Sequence, residues 1–363
     1  MSKIQKKPNK WDKNILKVLS LIVITVMLLT VFSACTIKEA NKTADQNASL
    51  QLGQSGTVQN NEKETKTSNN NETGKENEGF PLKIKDAKGT EVTIEKKPEK
   101  IVSLTLTTDE MLLSLVDDNR IAAISHLSVD PGLSNIAEEA AKIPVKAKLE
   151  LESLIALQPD LIIVSDWTDD NAVKQLRDAN ITVYAMATSN NIDEVKDAVL
   201  EVAKLVGEEQ NGHEIVSWMN EKLKVVDEKI KTLKDDQKAK ALIYDSFSTT
   251  YGKGTTFDSI AKNAGIINLA SEAGIEMYQT IEKENIIKMN PDVIFLPSWS
   301  FEGFDAKKFT EDFKNDKSLA ELKAVKNNKV FNLPDKHMVT TSQYIVLGVE
   351  DVAKAVYPDL FNK

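Results

Sequence analysis

Two glutamates, Glu152 and Glu284, stand 132 residues apart, and their surroundings repeat at that same offset. The stretch LELESLIALQPDLIIVSDW (149–167) returns as IEKENIIKMNPDVIFLPSW (281–299), so Pro159-Asp160 matches Pro291-Asp292 and Trp167 matches Trp299. Glu150 and Glu282 repeat as well. Each copy reads as a helix, a Pro-Asp corner, a buried strand and then an exposed aromatic. A carboxylate in such a place can be gripped bidentately by arginine, or it can complement a helix N-terminus, worth about 0.3–1 kcal/mol. Proline disfavours helix at the residue before it, so the Pro-Asp pairs end a helix and turn the chain into a strand; they are read as structural, not as an acid–base pair. Trp167 and Trp299 fall just past the carboxyl end of a strand, the edge at which open α/β sheets take ligands.

The elements that must position these residues form an alternating pattern from residue 80 onward. Apolar strand-like runs at 100–105, 121–125, 161–165 and 181–186 are separated by helical stretches at 107–116, 133–142, 150–158 and 171–179. The order returns in strands at 241–246, 293–298 and 329–334, a helix near 257–264 and an amphipathic helix over 342–358. Short continuous apolar runs between amphipathic helices indicate buried, mostly parallel sheets. Between the halves, residues 211–234 place Ile215, Trp218, Met219, Leu223, Val226, Ile230 and Leu233 at spacings of three and four. One helix of about 23 residues would span roughly 34 Å. The expected fold class is α/β, with two Rossmann-like lobes joined by one long rigid crossover helix and a ligand cleft between them. The expected boundaries are a lobe at 80–207, the connecting helix at 208–236 and a lobe at 237–363.

The N-terminal segment has a different character. Residues 1–17 carry six lysines and one aspartate, an apolar run follows at 18–32, and Ser33-Ala34-Cys35 closes it. A basic start, a short apolar stretch and small residues form a secretory signal over 1–34 rather than a spanning helix. The sole cysteine, Cys35, sits at the cleavage point, and FSAC resembles a bacterial lipobox, with Phe32 where leucine is usual. Lipidation of Cys35 would anchor the chain, since each buried methylene contributes about 0.8 kcal/mol. Residues 35–79, rich in Asn, Thr, Glu, Lys and Gly, read as a disordered tether.

The formal net charge is −9, and without residues 1–34 the remainder carries −14. With only two arginines, Arg120 and Arg177, such a body is unsuited to nucleic acid, whose affinity rests on basic patches. With Cys35 used for lipid, no disulfide or cysteine-based zinc site remains. No His/Cys/Asp ligand spacing, nucleophile elbow or Walker loop is present; YGKGTT (251–256) lacks the phosphate-loop spacing. An enzyme or an adhesin on the same two-lobed scaffold is the competing class, and neither explains the paired motifs.

The chain resembles the extracytoplasmic substrate-binding proteins of ABC importers for iron-siderophores, haem and vitamin B12. The resemblance covers about residues 80–363 and rests on four pieces in order: IKDAKGTEVTIEKKPEKIVSLTLTTDEMLLSL, LESLIALQPDLIIV, FDSIAKNAGIINLASE and ENIIKMNPDVIFL. It implies that Glu152 and Glu284, one per lobe, dock on an arginine cluster of the permease dimer. It implies a monomeric, lipid-anchored protein on the outer face of the cell membrane, with no cofactor of its own and an iron or cobalt chelate as transported ligand. Trp167, Trp299 and Tyr278 are the aromatic ligand candidates, and Lys146 is the first-lobe counterpart of Tyr278. Thr107, Ser125, His126, Tyr251 and His337 are further lining candidates, and no metal site is expected. Anionic ferric chelates favour guanidinium groups, and neither arginine looks cleft-facing. Scarce arginine beside repeated aromatics therefore points to a near-neutral, planar or amphipathic ligand such as a corrinoid, haem or hydroxamate complex. For haem, only His126 and His337 could ligate the iron.

Overall fold

The computed structural model describes residues 79–362; the expected signal segment, Cys35 and the tether up to residue 78 lie outside the described residues. The described chain opens with a hairpin, β1 (Leu82–Lys85) antiparallel to β2 (Glu91–Ile94). Asp86 holds its turn, accepting the Lys88 and Thr90 amides and pairing with Arg177 at 2.5 Å.

The first lobe is built on β3 (Ile101–Ser103), β4 (Ile121–Ser125), β5 (Lys146–Ala147), β6 (Leu161–Ser165) and β7 (Val183–Met186). They form one parallel sheet in the order β5-β4-β3-β6-β7. Every residue of β3, β6 and β7 is buried, which is why these strands are unbroken apolar runs. The helix expected over 133–142 begins only at Ala137, because the Asn135 amide turns aside to donate to the Glu110 carboxylate at 2.7 Å. A helix not among those expected, Ile192–Val206, is the longest of this lobe, although its apolar residues recur at spacings of three and four. Asn191 caps it by accepting the Glu194 amide, and Gly207 ends it in the left-handed region at φ 70°.

The connecting helix runs from Glu209 to Ile230, 22 residues, or about 33 Å. Its apolar side chains serve both lobes: Ile215 and Val216 pack against the first core, while Met219, Val226 and Ile230 lie in the second. The second lobe contains β8 (Lys240–Ile243), β9 (Thr249–Tyr251), β10 (Ile267–Asn268), β11 (Tyr278–Thr280), β12 (Val293–Phe295) and β13 (Val330–Phe331). Four of these form a parallel sheet in the order β10-β8-β12-β13, while β9 and β11 form a separate antiparallel pair with Tyr251 opposite Tyr278. The terminal helix Ile345–Val356 packs along the connecting helix.

The two Pro-Asp corners have the same structural task. Asp160 accepts the Glu99 and Lys100 amides at 2.9 and 3.0 Å, and Asp292 accepts the Lys240 amide at 3.1 Å. Each fastens its corner to the start of the neighbouring central strand, β3 or β8. Before each proline the chain passes through positive φ, 48° at Gln158 and 46° at Asn290.

Candidate ligand-binding site

At the carboxyl ends of β3, β6 and β7 the first lobe has a cavity of about 270 Å³. Trp167 stands at its edge, 77% exposed, and Thr107 and Thr341 contribute from opposite lobes, joined by a hydroxyl–hydroxyl hydrogen bond. Thr105, Ser165, Thr188 and Ser189 add polar atoms among Leu104, Leu127 and Met186, and none of the lining residues is charged. Hydroxyls both donate and accept, so this wall suits an uncharged polar group better than an ion.

The second lobe has a much smaller cavity, about 20 Å³, at the ends of β8 and β12. Tyr251 lines it and donates to Asp245 at 3.1 Å; burial and that neighbouring carboxylate push the phenol pKa up. Asp335 also lines it, accepting the amides of Ser298 and Trp299 at 2.8 and 2.6 Å, and burial raises its pKa. Tyr278, 51% exposed, lies edge-on to Tyr251 with ring centres 4.8 Å apart.

Trp299 departs from the exposed aromatic that its sequence position predicts. It is half-buried, its indole N–H donates across to Asp130 of the first lobe at 3.1 Å, and its ring stacks near Phe301 at 4.8 Å. A Cβ at Gly132 would lie 2.1 Å from Trp299 Cδ1, so only glycine leaves room for the ring. Further bonds join the lobes: Asn135 Nδ2 donates to the Lys336 carbonyl at 2.8 Å, and the Ile192 amide to Ser259 at 3.1 Å. Glu110, almost fully buried on the helix Leu106–Leu115, accepts hydroxyls of Thr340 and Ser342 from the second lobe. Burial raises the Glu110 pKa. Its neighbour Asp109 accepts the Ser125 amide and Ser128 hydroxyl through Oδ2, while Oδ1 has no partner; burial pushes its pKa up to about 7.

The other candidates sit apart from these cavities. Lys146 donates to the Ile143 carbonyl within its own segment. His126 is exposed on the turn after β4 and lines neither cavity. His337 bonds through Nδ1 to Asp351 at 2.6 Å, which ties it to the terminal helix. Arg120 is spent on the Pro98 and Val206 carbonyls and Glu208, and Arg177 on Asp86 and Val183. Glu152 and Glu284 occupy the first turn of the matched helices Leu151–Ala156 and Lys283–Met289, both exposed.

A protein-family model described as "Periplasmic binding protein" matches residues 101–337. The chain belongs to this family. Among relatives, it is 29% identical over 297 residues to the ABC transporter substrate-binding lipoprotein YvrC of Bacillus subtilis, covering 79% of this chain and 88% of that one. It is 23% identical over 219 residues to a cobalamin-binding protein of Halobacterium salinarum, covering 59% and 58%. Among solved structures, the molybdate-bound periplasmic protein MolA of Haemophilus influenzae superposes with a TM-score of 0.65 at 23% identity, covering 77% of this chain and 92% of that one. As a periplasmic binding protein the chain is a solute-binding component of an ABC importer, not an enzyme. Among the described residues no helix is long and apolar enough to cross a membrane.

Sequence reasoning missed several residues that shape this binding protein's cleft: Asp109, Glu110, Asp130, Gly132, Asp245, Asp335 and Thr341. One signal was available for the first two, a pair of acids inside the otherwise apolar helix TTDEMLLSLV, and another for the next two, an Asp-Pro-Gly turn after a strand end.

Proposed function

We propose that this chain is a lipid-anchored receptor, held outside the cell through Cys35, that captures a neutral or cationic metal chelate and passes it to a permease pair. The observation that carries the choice of ligand is the charge of the walls. No charged residue lines the Trp167 cavity, and the charged groups lining the second-lobe cavity are the carboxylates Asp245 and Asp335. An oxyanion such as molybdate, or a ferric citrate, would meet carboxylates and no guanidinium. A corrinoid with peripheral amides, or a hydroxamate complex, would match the hydroxyls of Thr107, Ser165, Thr188 and Thr341 and lay an apolar face on Trp167. Histidine ligation of haem is disfavoured, since His126 and His337 line neither cavity, which leaves the phenols of Tyr251 and Tyr278 as the axial candidates. A cavity of about 270 Å³ is below the usual range for such ligands, so binding requires the lobes to part and Trp299 to leave Asp130.

Docking is assigned to Glu152 and Glu284, which make no hydrogen bond or ion pair among the described residues and present bare carboxylates in matched first turns. The protein acts as a monomer, with lobes divided near residues 207 and 237. The test incubates purified protein in parallel with cyanocobalamin, haem, a ferric hydroxamate, ferric citrate and molybdate, following absorbance and tryptophan emission. Binding of cyanocobalamin or the hydroxamate without the two anions is expected; tight molybdate or ferric citrate binding overturns the ligand class. Glu152→Lys with Glu284→Lys should abolish uptake while leaving affinity in solution unchanged.

A further inference from the structure

The offset that pairs the two glutamates also pairs two exposed isoleucines. Ile155 is 40% exposed and Ile287 is 41% exposed, and each follows its glutamate by three residues on the same short helix. Residues three apart on a helix lie side by side on one face. In the first lobe Glu150, Glu152 and Ile155 indeed line one shallow depression together with Gln175 and Asp178. The residue just before each isoleucine is the anchor of its helix: Leu154 is 1% exposed and Ile286 is 0% exposed. The inner position is thus used for the core, while the outer isoleucine belongs to none of the buried clusters. A second apolar pair, Val145 at 37% and Met277 at 45%, stands at the same offset.

Matched exposure argues against chance. Leu149, at 42%, has as its counterpart Ile281 at 3%, so the repeat does not by itself keep a residue in solvent. A single exposed aliphatic residue needs no explanation. Two lobes that each leave the same isoleucine outward beside the same carboxylate are different, because their remaining surfaces differ. Local charge fixes the chemistry of what would cover them. The first patch is acidic, with Glu150, Glu152 and Asp178; in the second, Lys283 is paired with Asp316 at 2.6 Å and Lys288 follows Ile287, so Glu284 keeps an exposed carboxylate with cations on its own helix. The fitting surface carries a cation next to an apolar socket, and it occurs twice.

We infer that Ile155 and Ile287 are apolar knobs that insert, one per lobe, into two copies of a socket on the importer's permease, beside the cation that takes Glu152 or Glu284. This rests on the docking reading above and adds the part of the interface that salt does not screen. Burying the exposed part of an isoleucine on each side should, after the costs of binding, still tighten docking at least about threefold per lobe, so at least about tenfold together. The glutamates supply the salt-sensitive remainder.

The test measures binding of the full chain to the permease–ATPase complex in lipid nanodiscs, at about 0.1 M and about 0.5 M KCl. Four forms are compared: unaltered, Ile155→Ser with Ile287→Ser, Glu152→Ala with Glu284→Ala, and all four changes. Thermal melting serves as a control, since exposed positions should leave the fold intact. The double serine variant should bind at least about tenfold more weakly at both salt concentrations, and the double alanine variant's deficit should shrink at high salt. If the serine variant binds as the unaltered chain does while the alanine variant is impaired, the knobs are refuted and the docking glutamates stand. If neither double variant is impaired, the docking reading itself fails and this inference fails with it.

Discussion

Trp167 and Trp299 occupy the same place in two copies of one motif, yet they live in opposite circumstances. Trp167 lies in solvent at the edge of a cavity of about 270 Å³. Trp299 reaches across the cleft to Asp130 and sits over Gly132, and the cavity on its own lobe is only about 20 Å³. The difference comes from what faces each ring. An Asp-Pro-Gly turn of the first lobe meets Trp299 with an acceptor and a bare backbone, whereas among the described residues no side chain bonds the Trp167 indole. On the proposed reading, one lobe offers a prepared surface and the other a surface that acts as a latch. Ligand arrival should engage the first directly and must displace the second.

The largest expected effect tests the prepared surface. Trp167→Ala should weaken ligand binding about tenfold or more, measured by titration, with the melting temperature unmoved because the ring is already exposed. Comparable loss of stability would show that Trp167 is packing rather than contact. Next comes the latch. Gly132→Ala should expel Trp299, because its new Cβ has no room beside Cδ1. The ligand-free protein should then show a larger radius of gyration in X-ray scattering and red-shifted tryptophan emission, while ligand associates faster. An unchanged scattering profile would mean the latch does not hold the lobes.

A smaller effect is pH-dependent. Asp109 grips Ser125 and Ser128, the segment leading to Asp130, and its pKa is raised by burial to about 7 from 3.8. The native state binds this proton more tightly than the unfolded chain does. That stabilisation is complete below pH 3.8 and disappears as pH rises through about 7. Asp109→Asn cannot ionise, so relative to the parent its melting temperature should be most favourable near pH 8 and lose that advantage toward pH 5. A pH-independent difference would remove Asp109 from the titration. The mildest change is Asp130→Asn, which keeps an oxygen for the Trp299 N–H and should shift the scattering and emission readouts less than half as far as Gly132→Ala.

Much of the fold could be read from local patterns. The runs at 121–125 and 161–165 are strands with those same bounds, because four apolar residues and a serine, bounded by polar residues, are long enough for a strand and too short for a helix. The antiparallel pair of β9 and β11 was invisible, since TTY and YQT are short and polar. Equal spacing also misled at Lys146 and Tyr278. The strand holding Lys146 adds parallel to β4, whereas the one holding Tyr278 runs antiparallel to β9, so the two side chains have unrelated neighbours. The cavity hydroxyls were only partly visible, with Thr107 found and Thr341 missed. The capture of Trp299 depends on a partner 169 residues away, which no local pattern encodes.

The connecting helix carries a consequence for how this protein comes apart. Ile215 packs against both cores, and Ile192 and Val195, from a first-lobe helix, lie in the second core. Each lobe has one cluster of its own, but the clusters against the connecting helix share side chains between lobes, so the two lobes should melt together. Scanning calorimetry of the ligand-free chain should show one endotherm, with calorimetric and van't Hoff enthalpies in agreement. A protease cut within the helix should release two fragments that aggregate rather than two soluble half-receptors.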